Sequence, residues 1–151
     1  MNRRSLSLSA GGLILAAVGA ARAEEPHPHK IAVHVGGGDP DLMSVALHNV
    51  ANAIDAYTAK GEAVVIELVA NGPGYTMLRA DTSPVKDLLA ETRRKYPSVV
   101  FSACQLSRKG AAAAEHKSIQ EIPQLPGVTD VPAGIVRLNE LQENDFSYIR
   151  V

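Results

Sequence analysis

Cys104 is the single cysteine of the chain, and an ionised thiol can serve as nucleophile, sulfur carrier or redox group. It follows the apolar run Val99–Ala103 and precedes a helix-forming stretch, which puts it at a strand end and a helix start. In open α/β folds, ligands and chemistry gather beyond the C-terminal ends of the strands. The positive end of a helix macrodipole there favours the thiolate. Arg108, one helical turn on, is expected to face the same side and add to that effect. The plainer alternative is a small buried hydrophobe, a common role for a free cysteine.

Other candidates are weaker. His34 ends the first strand-like run and assists thiolate formation if its strand neighbours that of Cys104; otherwise it is a hydrogen-bonded structural histidine. The glycines of Gly36–Gly38 expose backbone N–H groups before a helix, as phosphate loops do. They lack the Lys-Ser/Thr of a P-loop and the third glycine of a dinucleotide fingerprint, and Asp39 repels phosphate. A tight turn with a helix cap fits better. His27 and His29 are one residue apart and suit copper or nickel by type, but Pro26 and Pro28 remove amide ligands, so a polar tail over residues 24–29 is expected. Arg93, Arg94 and Lys95 complement the carbonyl end of a helix, which suffices to explain them.

These residues must be positioned by a chain of 151 residues, 46% of them hydrophobic, which is one domain's worth with enough apolar content for a core. Fifteen basic residues stand against 16 acidic ones, so there is no basic excess to suit a nucleic-acid or membrane-surface binder. One cysteine allows neither an internal disulfide nor a cysteine-rich metal centre.

Lys30–Val35, Ala63–Ala70, Val99–Ala103, Val128–Val131 and Phe146–Val151 read as strands. Between them lie helical patterns. The first runs from Asp39 (cap) and Pro40 to a C′ glycine at Gly61. Others follow around Met77, from Ser83-Pro84 to Tyr96, over 105–116, and from Pro132 onward. The near-continuous apolar run 63–70 suits a strand covered on both faces. Strands alternating with helical crossovers predict a single three-layer α/β/α domain around a mostly parallel five-stranded sheet.

The N-terminus reads as an export signal. Arg3 and Arg4 precede an uncharged apolar stretch over residues 10–21, closed by Ala21-Arg22-Ala23. Twelve helical residues span roughly 18 Å, short of a bilayer core of ~30 Å, so no stable membrane anchor is expected. Asn2-Arg3-Arg4-Ser5-Leu6 partly matches a twin-arginine signal, and ordinary secretory export is the alternative. Cleavage after Ala23 leaves 12 basic and 16 acidic residues, and a periplasmic or otherwise exported protein. A lone thiol in such an oxidising compartment needs explaining.

Over residues 30–151 the chain resembles the DsrE-like sulfur-relay family, in particular its exported YchN-like branch. The resemblance is carried by Lys30–Val35, Leu47-His-Asn-Val50, Ala70-Asn-Gly-Pro-Gly74, Phe101-Ser-Ala-Cys104, Gly127–Gly134 and Tyr148-Ile-Arg150. It implies a flavodoxin-like shape, a homo-oligomer (trimer or hexamer), and a cysteine at position 104 that takes sulfur as a persulfide and hands it on. The partners would be a sulfur donor and an acceptor protein, with no metal, flavin or nucleotide cofactor, and the protein would be a carrier rather than a turnover enzyme. Many relatives have Asn-Thr shortly after the cysteine; here Cys104-Gln-Leu-Ser-Arg108 leaves Gln105 and Ser107 as the polar contacts. The rival reading is a non-catalytic oligomeric module with a buried Cys104, binding a small molecule or partner near Asn71, Gly72 and Gly74.

Overall fold

The computed structural model describes residues 27–151; the export segment expected at residues 1–23 lies outside them. The elements are β1 (His29–Val35), α1 (Pro40–Ala59), β2 (Val64–Ala70), a 3-10 segment (Gly72–Leu78), α2 (Lys86–Lys95), β3 (Val100–Cys104) and α3 (Gln105–Ala114). A second 3-10 segment (Ile119–Glu121), β4 (Thr129–Val131), α4 (Gly134–Glu143) and β5 (Ser147–Arg150) complete the chain.

The local signals act as the residue types dictate. Asp39 caps α1, its Oδ1 accepting the Asp41 N–H at 2.8 Å, with Pro40 in the first turn. The glycine loop is therefore a tight turn before a capped helix. The stretch around Met77 is a 3-10 segment rather than a helix, and α2 begins at Lys86 instead of Ser83. There the Ser83 hydroxyl donates to the Met77 carbonyl at 2.6 Å and accepts the Val85 N–H, closing a turn ahead of the helix. One residue expected in the tail is placed differently. His29 already belongs to β1, pairs in register with Val64, and stacks its ring on Tyr57 at 4.0 Å.

All strands are parallel, in the order β4-β3-β2-β1-β5. The first three crossovers step one way across the sheet, and the last returns across it to place β5 beside β1. Right-handed crossovers running in opposite directions must lie on opposite faces. Accordingly α1, α2 and α3 cover one face, over a large core that includes Met43, Leu47, Leu68, Met77, Leu89 and Phe101. On the other face α4 alone packs Leu138 and Leu141 against Ala32 and Val69. The result is a single α/β/α domain of flavodoxin-like shape.

A buried Arg79 ties the segment after the first 3-10 helix to the end of α3. Its guanidinium donates to both carboxylate oxygens of Asp81, at 2.9 and 2.7 Å, and also to Glu115 at the end of α3. Hydrogen bonds from Arg79 hold the Asp81 and Glu115 carboxyls at about 2. Both are depressed, so their stabilisation is complete above the ordinary carboxylate range and is lost as pH falls toward about 2. Urea midpoints measured from pH 6 to 2.5 should fall steadily, and Arg79→Met should start lower and flatten that slope. An unchanged slope in Arg79→Met would mean that other carboxylates carry the acid sensitivity.

Candidate functional site

The helices that follow β3 and β4 leave toward opposite faces, so a crevice opens between the C-terminal ends of these two strands. Cys104 is the last residue of β3 and pairs in register with Val131 of β4. Alternation along β3 sends Phe101 and Ala103 into the larger core and turns Ser102 and Cys104 toward α4. Cys104 has an extended backbone (φ −68°, ψ 114°) and is the residue from which α3 starts. The start of α4, at Gly134, lies against it. A Cβ built on Gly134 would stand 3.3 Å from the Cys104 Cβ and 2.8 Å from the Asn71 Cβ. Only a glycine lets these three meet.

Burial pushes the Cys104 thiol up, since the residue is only 4% exposed. The Ser107 hydroxyl and the N–H groups of Gly134, Ser107 and Leu106 oppose this, and they prevail: the thiol lies below its ordinary range. Two helix N-termini thus converge on one sulfur, and their otherwise unsatisfied amides stabilise negative charge there. The Ser107 Oγ also accepts the Gly72 N–H at 2.7 Å, and its own proton remains available to donate.

Two expectations need correcting. Arg108 does not face the thiol: its Nε and Nη2 donate to the Ile122 carbonyl at 3.0 and 2.7 Å. Ile122 belongs to the core on the first face, whereas the sulfur points to the α4 face. His34 is not on a neighbouring strand either, because β2 lies between β1 and β3.

His34 does reach the site's edge through Asn71. Its Nε2 meets Asn71 Oδ1 at 2.8 Å, and its Nδ1 meets the Tyr148 hydroxyl at 2.7 Å. Since Oδ1 can only accept, Nε2 carries a proton, and in the neutral ring the Tyr148 hydroxyl donates to Nδ1. Asn71 is thereby held with its Nδ2 on the Gly134 side, 3.3 Å from where a Cβ of that residue would be.

The loop after β2 is spent on internal bonds. The Asn71 N–H donates to the Val35 carbonyl at 3.1 Å and the Gly74 N–H to the Gly36 carbonyl at 3.4 Å. Gly72, at φ +51°, takes a conformation that suits glycine. Asn71, Gly72 and Gly74 therefore lock the ends of β1, β2 and α3 together. Gln105 turns away and donates to Gln124 at 3.2 Å.

Ser107, Gly134 and Tyr148 complete the constellation. A hydroxyl three residues into a helix that starts at a cysteine was a readable signal for Ser107; Gly134 and Tyr148 come from other parts of the chain. Leu106 and Ile135, in the first turns of α3 and α4, are 60% and 69% exposed. Among the described residues no group of three or more His, Cys, Asp or Glu is arranged to hold a metal ion, and no helix is long and apolar enough to cross a membrane.

No family model matches the chain, and no curated protein matches it. Among solved structures it is similar to MTH1491, a protein of unknown function from Methanobacterium thermoautotrophicum, with a TM-score of 0.65 and 26% identity. The likeness covers 82% of this chain and 99% of that one. It is a likeness of fold.

Proposed function

We propose that this protein is an exported sulfur carrier of the DsrE-like kind that holds sulfur as a persulfide on Cys104. The reading rests on the donors around the sulfur: one hydroxyl and three backbone N–H groups, drawn from two helix starts, favour its thiolate. The step balances without an oxidant. The Cys104 thiolate attacks the outer sulfur of a donor persulfide, a new S–S bond forms, the old one breaks, and the donor leaves as a thiolate. Passing the sulfur on reverses this, with Cys104 as leaving group. A stabilised thiolate leaves faster, so the same donors serve release. Donor and acceptor are partner proteins, the carrier is a homo-oligomer acting outside the cytoplasm, and the exposed Leu106 and Ile135 suit contact around the site.

One observation favours the second reading, an oligomeric binding module with a structural thiol: Cys104 is only 4% exposed. Sulfur loading separates the two. Residues 24–151 are incubated with polysulfide and the intact mass is measured. The carrier gains about 32 Da per sulfur, loses it to reductant, and gains nothing as Cys104→Ser. Ser107→Ala should load severalfold more slowly at pH 7, with the pH profile of alkylation moved upward. No loading of the folded wild type, while the unfolded chain reacts, would establish the second reading.

A further inference from the structure

We propose that the groove between α2 and the loop before β4 binds an amphipathic carboxylate. Lys86, Leu89, Ala90, Arg93 and Arg94 recur at helical spacing and share one face of α2. With Leu125 and Pro126 from the loop before β4 they line a groove of about 370 Å³, a volume within the range of small-ligand pockets. Its floor is apolar and its charged groups are all cations. Among the described residues none of Lys86, Arg93 and Arg94 has a carboxylate partner, whereas the adjacent Lys95 pairs with Asp55 at 3.1 Å.

Complementing the carbonyl end of α2 accounts for exposed basic residues in its last turn. It does not account for two further facts. Arg93 is half-buried, its guanidinium in the space that the missing side chain of Gly127 leaves; a Cβ there would be 2.6 Å from Cζ. Lys86 stands in the first turn, where the macrodipole disfavours a cation. A partly desolvated guanidinium without a counter-charge is costly, and a two-oxygen head answers its fork of donors. A carboxylate on Arg93 and Arg94, with an aliphatic body over Leu89, Leu125 and Pro126, satisfies both the charge and the floor.

Octanoate is the probe, with acetate carrying the head alone and octanol the tail alone. In amide NMR titrations octanoate should shift Leu89, Arg93, Leu125 and Gly127 saturably, with acetate and octanol at least tenfold weaker. Arg93→Gln should weaken octanoate at least tenfold and the exposed Arg94→Gln severalfold, while Lys95→Gln and Cys104→Ser leave it unchanged. Failure here is therefore distinguishable from failure of the sulfur-carrier reading. The proposal is overturned if octanoate gives no saturable shifts, if folded Arg93→Gln and Arg94→Gln bind it as the wild type does, or if only anionic lipid vesicles bind.

Discussion

Gly74→Ala is expected to cost about 3 kcal/mol of folding stability, at the upper end of ordinary overpacking, and to disturb the thiol site with it. A Cβ at position 74 would collide with the Val35 carbonyl oxygen, lie 2.7 Å from the Val35 carbonyl carbon and 3.1 Å from the Gly37 oxygen. These are backbone atoms, so no rotamer change relieves the clash. The displaced carbonyl is also the acceptor of the Asn71 N–H. Moving it shifts Asn71 and Gly72, and the Gly72 N–H is bonded to the Ser107 hydroxyl oxygen. Urea unfolding should show the loss of stability, and Cys104 alkylation should slow at pH 7. A variant within about 0.5 kcal/mol of wild type, the range of ordinary surface changes, would show that the loop yields without cost.

Arg137→Met is expected to cost about 3 kcal/mol, no more than the lower end for removing one partner of a buried ion pair, because Glu67 is buried while Arg137 is partly exposed. Glu67 sits mid-sheet, 4% exposed, on the face that α4 covers. Arg137 donates to both its oxygens, at 2.8 and 2.7 Å, and Ser102 donates to one of them at 2.6 Å. Without Arg137 the carboxylate keeps only Ser102. Adding Glu67→Leu should recover most of the loss, because an apolar pair of similar volume avoids desolvating either charge. Urea midpoints of the two single variants and the double variant test this. A double variant less stable than Arg137→Met would show that the pair is net stabilising.

The strands and α-helices were legible because each carries its own pattern or punctuation: Asp39-Pro40 and Gly61 around α1, and the apolar runs of β2 and β3. The turn over Ser83–Val85 was not, since the Ser83 hydroxyl closes it through the Met77 carbonyl, a bond that depends on how the preceding 3-10 segment folds. The candidate site was legible in part. Cys104 announced itself by type and by its place between strand and helix. Arg108 was misread because helical spacing says which residues share a face of α3, and nothing of which side of the sheet the thiol faces.

By itself the sequence determined the kind of domain, since alternating strand and helix patterns admit few other packings. It determined also that one thiol stands where a strand gives way to a helix. Only the tertiary structure decided what surrounds that thiol. Strand order put β2 between His34 and Cys104, and the return crossover set the starts of α3 and α4 on opposite sides of one crevice. Gly134 and Gly72 are separated from Cys104 by 30 residues or more, yet Gly134 packs against Cys104 and the Gly72 N–H donates to Ser107 Oγ. Contacts between segments so distant are set by register and crossover handedness, which no local pattern encodes.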